Sequence, residues 1–151
     1  MRLTRYTDYA LRVLLYLGAR RDRLASIAEI SGAYGISQNH LMKVVNDLVR
    51  AGYVASVRGR SGGVRLARSP EAINVGAVVR HTEEGFELVE CGSCAIAPAC
   101  RLSGVLGEAL AAFLAVLDRY SLADLLTGRQ ADLLRLFLVD GDPLEAESEA
   151  G

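Results

Sequence analysis

Cys91, Cys94 and Cys100 are the three cysteines of the chain, and all lie in one run, Cys91-Gly-Ser-Cys94-Ala-Ile-Ala-Pro-Ala-Cys100. Thiolates at these short gaps, on a segment interrupted by Gly92 and Pro98, can converge on one metal centre. Cys100 stands at the start of an expected helix, whose dipole favours the thiolate. Three sulfur ligands leave one corner of a four-coordinate site open. A closed structural zinc site wants a fourth Cys or His, and the histidines available are His40 and His81. An iron-sulfur cluster with one non-cysteine ligand suits the set at least as well. The metal-free alternative is a reversible Cys91–Cys94 disulfide. A permanent disulfide is not expected. Residues 1–9 carry Arg2, Arg5 and Asp8 rather than the apolar core of an export signal, so the chain reads as cytoplasmic, where stable disulfides are disfavoured.

A second set of residues has binding chemistry of another kind: Gln38, Asn39, His40 and Lys43, then Arg58, Arg60 and Arg65. Ser37 can cap a helix running to Arg50, with Leu41, Val44, Val45 and Leu48 on one face, the polar four on the other, and Gly52 as its end. Strand-like runs at 53–57 and 64–66 flank the turn Arg58-Gly-Arg-Ser-Gly-Gly63, a basic hairpin. Upstream, residues 4–20 space Tyr6, Ala10, Val13, Leu14 and Leu17 as a helix, with Thr4 as N-cap and Gly18 as stop. Ser26 and Glu29 open a shorter helix in the pattern of a capping box, broken at Gly35. Two short helices across a tight turn, the second polar outside, followed by an arginine-tipped hairpin, make a winged helix-turn-helix. Gln38, Asn39 and His40 at the start of the recognition helix are placed to read base edges, and Lys43 to meet a phosphate. Arg58, Arg60 and Arg65 would meet phosphates or a narrow minor groove.

The rest of the chain must position these groups. A short helix is expected at 74–81, then an aperiodic cysteine segment. From about 100 to 120, Leu102, Val105, Leu106, Ala109, Leu110, Phe113, Leu114 and Leu117 form a long stripe that invites a second copy of the chain. Ser121 caps a turn at 122–126, and a weaker helix follows at 129–139. The expected organisation is a winged helix-turn-helix domain at 1–82, a cysteine-containing cluster loop at 83–100, a dimerisation helix with C-terminal helices at 101–139, and a disordered acidic tail at 140–151. The fold class is mainly α with a small β-hairpin wing (α+β).

Composition agrees. With 151 residues, 51% apolar and 23% charged, the chain can build one core, and it contains no uninterrupted apolar run able to span a bilayer. The net charge of -1 conceals a dipole: residues 1–80 hold 13 Arg or Lys against 5 Asp or Glu, while residues 81–151 hold 4 against 13. A basic half suits nucleic-acid phosphates, and the acidic half suits control or assembly. No grouping of nucleophile, base and orienting residue and no phosphate-binding glycine loop is present, so an enzyme is not expected. A thiol redox module or a metal-dependent adaptor that touches no DNA is the reading from another class.

Met1-Arg-Leu-Thr-Arg-Tyr-Thr-Asp-Tyr-Ala-Leu-Arg12, Ser37-Gln-Asn-His-Leu-Met-Lys43, Ala51-Gly-Tyr-Val54, Val57-Arg-Gly-Arg-Ser-Gly-Gly63 and Pro98-Ala-Cys-Arg-Leu102 together resemble the bacterial Rrf-two family of winged-helix regulators, over nearly the whole chain to about Val139. Within it the chain looks most like the nitric-oxide-sensing repressors. The resemblance implies a homodimer on promoter DNA, an iron-sulfur cluster on Cys91, Cys94 and Cys100, and nitric oxide as the signal. Other members of the family sense iron supply or redox state. It further implies that Asp8, from the partner subunit, completes the coordination, and that the cluster is four-iron four-sulfur in preference to two-iron two-sulfur. The two-residue gap between Cys91 and Cys94 is shorter than the family's usual first gap.

Overall fold

The computed structural model describes residues 1–141. Seven helices and one hairpin follow in the order α1 (Arg5–Ala19), α2 (Ile27–Tyr34), α3 (Gln38–Arg50), β1 (Val54–Val57), β2 (Gly63–Leu66), α4 (Val75–Thr82), α5 (Leu102–Asp118), α6 (Leu122–Leu126) and α7 (Gln130–Gly141). Short 3-10 turns at Pro70–Ala72 and Ala97–Ala99 precede α4 and α5. The structure is mainly helical with a small antiparallel hairpin, as expected. The acidic tail expected from residue 140 lies, from residue 142 onward, outside the described residues.

α1 is the centre of the core. Ala10, Val13 and Leu14 are fully buried, and Tyr16 and Leu17 nearly so. α3, α4, α6, α7 and β2 all pack against it. Removing each such Leu or Val side chain from water stabilises the fold by about 1.5–3 kcal/mol. Thr4 caps α1, its hydroxyl accepting from the Thr7 N–H at 3.3 Å. Gly18 does not stop the helix. It lies inside α1, where the missing Cβ admits the side chains of Leu122 and Leu126 from α6.

The expected capping box at α2 is only half formed. Ser26 Oγ accepts from the Glu29 N–H at 3.0 Å, but the Glu29 carboxylate turns away to Tyr16, Arg20 and Arg23. A carboxylate with three charged or acidic donors near it is better satisfied there than on one backbone N–H. α2 ends at Gly35 in the left-handed region, φ +64°. Ser37 occupies the N-cap of α3 without a side-chain capping bond. The Ser121–Asp124 pair does make a complete capping box on α6.

The strands pair in the register Val54–Leu66, Ala55–Arg65, Ser56–Val64 and Val57–Gly63. A third rung, not anticipated, comes from Ala25, which exchanges backbone hydrogen bonds with Val64 at 3.0 and 2.8 Å. The hairpin is thereby stitched to the segment between α1 and α2.

α5 has no buried residue, and Leu102, Val105 and Val116 on it are 54%, 59% and 44% exposed. It is anchored to α4: the Arg80 guanidinium pairs with Asp118, the Asn74 amide donates to the Asp118 carbonyl at 2.7 Å, and the Val75 N–H to that of Tyr120 at 2.9 Å. After α5 the chain returns to the core, where Leu122, Leu126 and Phe137 join the side chains of α1.

Gly76 is the closest point of this junction. A Cβ there collides with the Asp118 carboxylate and lies 3.0 Å from the Asp118 nitrogen. Gly76→Ala is expected to destabilise the protein by about 1–3 kcal/mol. Thermal unfolding followed by circular dichroism should show a midpoint lower by roughly 3–10 °C.

Candidate nucleic-acid interface and cysteine loop

The apolar stripe of α3, Leu41, Val44, Val45 and Leu48, is buried, so its opposite face is forced outward. Gln38, Asn39, His40 and Lys43 all lie exposed on that outer side, joined by Met42 and Asn46. Arg58, Arg60 and Arg65 are exposed on the hairpin and make no ion pair among the described residues. The backbone of each element is satisfied internally, so these side chains are free to bind from outside.

What orients α3 was not visible in the sequence. The His40 ring stacks on Tyr9 of α1, with centroids 6.4 Å apart and planes 27° from parallel. Farther along, Asp47 receives His81 Nε2 at 3.0 Å. Burial, reinforced by a hydrogen bond with Asp47, pushes the Tyr6 phenol up to about 12. Two aromatic residues of α1 therefore touch α3 near its two ends. At its C-terminus, Arg68 donates to the carbonyls of Gly52 at 3.0 Å and Ala51 at 3.1 Å, with its guanidinium 4.6 Å from the Tyr53 ring centroid. A cation on helix-terminal carbonyls is favourable by charge and by hydrogen bonding. Arg68 so joins the recognition helix to the base of the hairpin.

A polar joint ties α1 to the start of the cysteine loop. Buried Thr82 donates to Thr7 Oγ1 at 2.8 Å, and the Glu83 carboxylate accepts from the Thr4 N–H at 2.8 Å and the Thr4 hydroxyl at 3.0 Å. Burial alone would raise the Glu83 carboxyl, but the bonds from Thr7 and Thr4 outweigh it and hold the group below its ordinary value of 4.5.

The loop is a chain of turns. The Cys94 N–H donates to the Cys91 carbonyl at 3.2 Å, Ala97 to Cys94 at 3.2 Å, and Cys100 to Ala97 at 3.3 Å. All three thiols are free; Cys91 and Cys100 are half-buried and Cys94 is exposed. Cys91 borders a cleft of about 170 Å³ against α5, beside Leu88, Leu106 and Leu110. Among the described residues no three Cys, His, Asp or Glu side chains converge into a metal-sized group. Asp8 sits on α1, where its carboxylate takes the Arg12 Nε–H at 2.9 Å and stays 45% exposed. In kind, the donors suit thiolate-bound iron: three unpaired thiols on one short loop, one of them open to solvent.

A core-packed helix-turn-helix with a polar exposed second helix, followed by an arginine-bearing hairpin, defines a DNA-binding transcription regulator and not an enzyme. The family Rrf2, described as "Iron-dependent Transcriptional regulator", matches residues 3–128. The chain belongs to that family. It is 51% identical to the HTH-type transcriptional regulator NsrR of Bacillus subtilis (strain 168), over 90% of this chain and 97% of that protein. Against the HTH-type transcriptional regulator NsrR of Halalkalibacterium halodurans it is 52% identical, over 84% of this chain and 91% of that one. Among solved structures it resembles T. potens IscR, with a TM-score of 0.69 and 27% identity over 83% of this chain and 86% of that one. No helix among the described residues is long and apolar enough to cross a membrane.

The Glu83 joint gives a pH signature. Because its folded carboxyl titrates below 4.5, the stability it contributes is present above that value and is lost as pH falls through the depressed folded value. The difference in unfolding midpoint between wild type and Glu83→Gln should therefore be largest above pH 5 and shrink steadily toward pH 3. Parallel thermal melts across that range check it.

Proposed function

We propose that the protein is a cytoplasmic, iron-sulfur-dependent transcriptional repressor that binds promoter DNA as a homodimer and is released by nitric oxide. The observation that carries the DNA half is the outward polar face of α3 beside the unpaired hairpin arginines. Gln38, Asn39 and His40 read base edges, Lys43 takes a phosphate, and Arg58, Arg60 and Arg65 grip the backbone or a narrow minor groove. The named NsrR relatives, alike over most of the chain, support the signal.

Residues 1–82 form the reading unit, residues 83–100 the sensing loop, and α5 the dimer contact. Dimerisation follows from the exposed Leu102, Val105 and Val116, since an unpartnered apolar stripe this long is costly in water. Two copies read half-sites about 34 Å apart. Cys91, Cys94 and Cys100 hold a cluster, four-iron four-sulfur in preference to two-iron two-sulfur, with the partner subunit's Asp8 as the fourth donor. The bound cluster supplies thiolate-ligated iron with affinity for nitric oxide.

The chain's own part is mechanical. Glu83 and Thr82 fasten the loop to the start of α1, and Tyr6 and Tyr9 carry α1 onto α3. Asp8 lies between those two tyrosines. A pull on Asp8 from the partner's loop thus acts on the helix that aims the recognition residues. Releasing it lets the two reading units slip out of their spacing, and every base that is no longer read gives up about 1–3 kcal/mol of discrimination. The family description, with its iron dependence, favours a second reading in which the same loop reports iron supply.

Protein purified without oxygen should show a visible charge-transfer band with matching iron and sulfide, bleached by nitric oxide and missing in Cys94→Ala. Colourless, iron-free protein after reconstitution would overturn the cluster. Replacing Arg58 and Arg60 by Ala should weaken operator binding and flatten its salt dependence by about 0.9 in log–log slope for each phosphate left unneutralised. An adaptor that ignores DNA would show no change in fluorescence-anisotropy titrations.

A further inference from the structure

Between the end of α1 and the hairpin lies a groove of about 410 Å³ lined by Arg20, Arg21 and Arg65, with Leu17, Ala55 and Leu66 as apolar walls. No carboxylate lines it. Arg20 forms a wall and is already held by Glu29 at 3.2 Å, whereas Arg21 and Arg65 are exposed and make no ion pair among the described residues. Apolar walls around cations concentrate their field and draw an anionic partner.

We infer that the acidic C-terminal segment, residues 142–151, seats its carboxylates over this arginine groove and covers Arg65 when DNA is absent. The segment carries Asp142, Glu145, Glu147 and Glu149 and contains no Lys or Arg. Its point of departure is close. α7 brings Leu138 to a cleft lined by Tyr16, Arg20 and Phe137, and Arg20 also walls the groove, so a single arginine side chain separates the two. Ten extended residues reach about 33–36 Å, far more than the gap requires.

The seat favours no single structure for the segment, since carboxylates can exchange among exposed guanidinium groups at little cost. Its effect on DNA rests on the proposed function: Arg65 would have to be uncovered before meeting a phosphate. A matched operator supplies enough phosphate and base contacts to displace the segment, while a mismatched duplex supplies fewer. The tail therefore lowers affinity for random sequence more than for the operator.

The test uses the full chain with Asp142→Asn, Glu145→Gln, Glu147→Gln and Glu149→Gln combined. Nuclear magnetic resonance of the arginine Nε–H groups at low salt should place the Arg21 and Arg65 signals differently in wild type and variant, the two sets merging as salt is raised. Identical signals at low salt would overturn the seat. In anisotropy titrations the variant should bind a mixed-sequence duplex roughly three- to tenfold more tightly at low salt. As the control, Glu84, Glu87 and Glu90 are neutralised instead; an equal gain there would overturn the masking, because the effect would then be general charge. Failure of either form to bind any duplex would sink the proposed function, while the arginine spectra would still decide the seat.

Discussion

Everything in this protein is referred to α1. A helix with Ala10, Val13, Leu14 and Leu17 removed from water, and with its glycine face opened for Leu122 and Leu126, has no freedom to slide or rotate without exposing apolar surface. The elements that bear function are fastened to its flanks. α3 leans on it through buried leucine and valine side chains, β2 packs near its end, and α6 and α7 close over the remaining sides. A rigid central helix converts small displacements at one end into changes of aim at the recognition face.

Polar contacts add direction to that packing. The threonine and glutamate joint sits at the N-terminal end of α1, where the cysteine loop departs, and the tyrosine contacts to His40 and Asp47 lie within the next turns. Buried polar groups tolerate few alternative arrangements, because each unsatisfied donor costs about 1–3 kcal/mol. The Thr82–Thr7 bond is of this kind, and every buried side-chain nitrogen and oxygen among the described residues has a partner. The loop and the recognition helix are thus linked to one element by contacts that specify position, while the loop between Cys91 and Cys100 is built from simple turns that can rearrange around a ligand.

Charge is laid out on the same plan. The unpaired arginines cluster on the hairpin and at the end of α1, whereas the carboxylates of the reading half are engaged internally: Asp8 with Arg12, Glu29 with Arg20 and Arg23, Asp47 with His81. Internal neutralisation of the acids leaves an outward field of one sign over the DNA-reading side. α5 differs again, with an uncharged apolar stripe that suits a copy of itself.

The local features were legible because they depend on neighbours in sequence: the helical spacing of Leu41, Val44, Val45 and Leu48, the cap at Thr4, the glycine turn of the hairpin, the Ser121–Asp124 box. The same period that buried one face of α3 placed Gln38, Asn39, His40 and Lys43 on the other. What misled was Gly18, whose small size reads as a stop yet serves a close approach, and Glu29, whose spacing from Ser26 reads as a cap yet whose carboxylate finds better donors in space. Tyr9 on His40, Arg68 on the end of α3, Ala25 on Val64 and Glu83 on Thr4 carried no sequence signal at all. Each joins residues that only the folded core brings together, and a one-dimensional pattern holds no record of which surfaces meet. Residue order and spacing are enough to say which faces are polar, which are apolar and where the thiols lie. How the recognition helix is aimed, and what it is tied to, came from packing, because those depend on distances between elements that no spacing along the chain encodes.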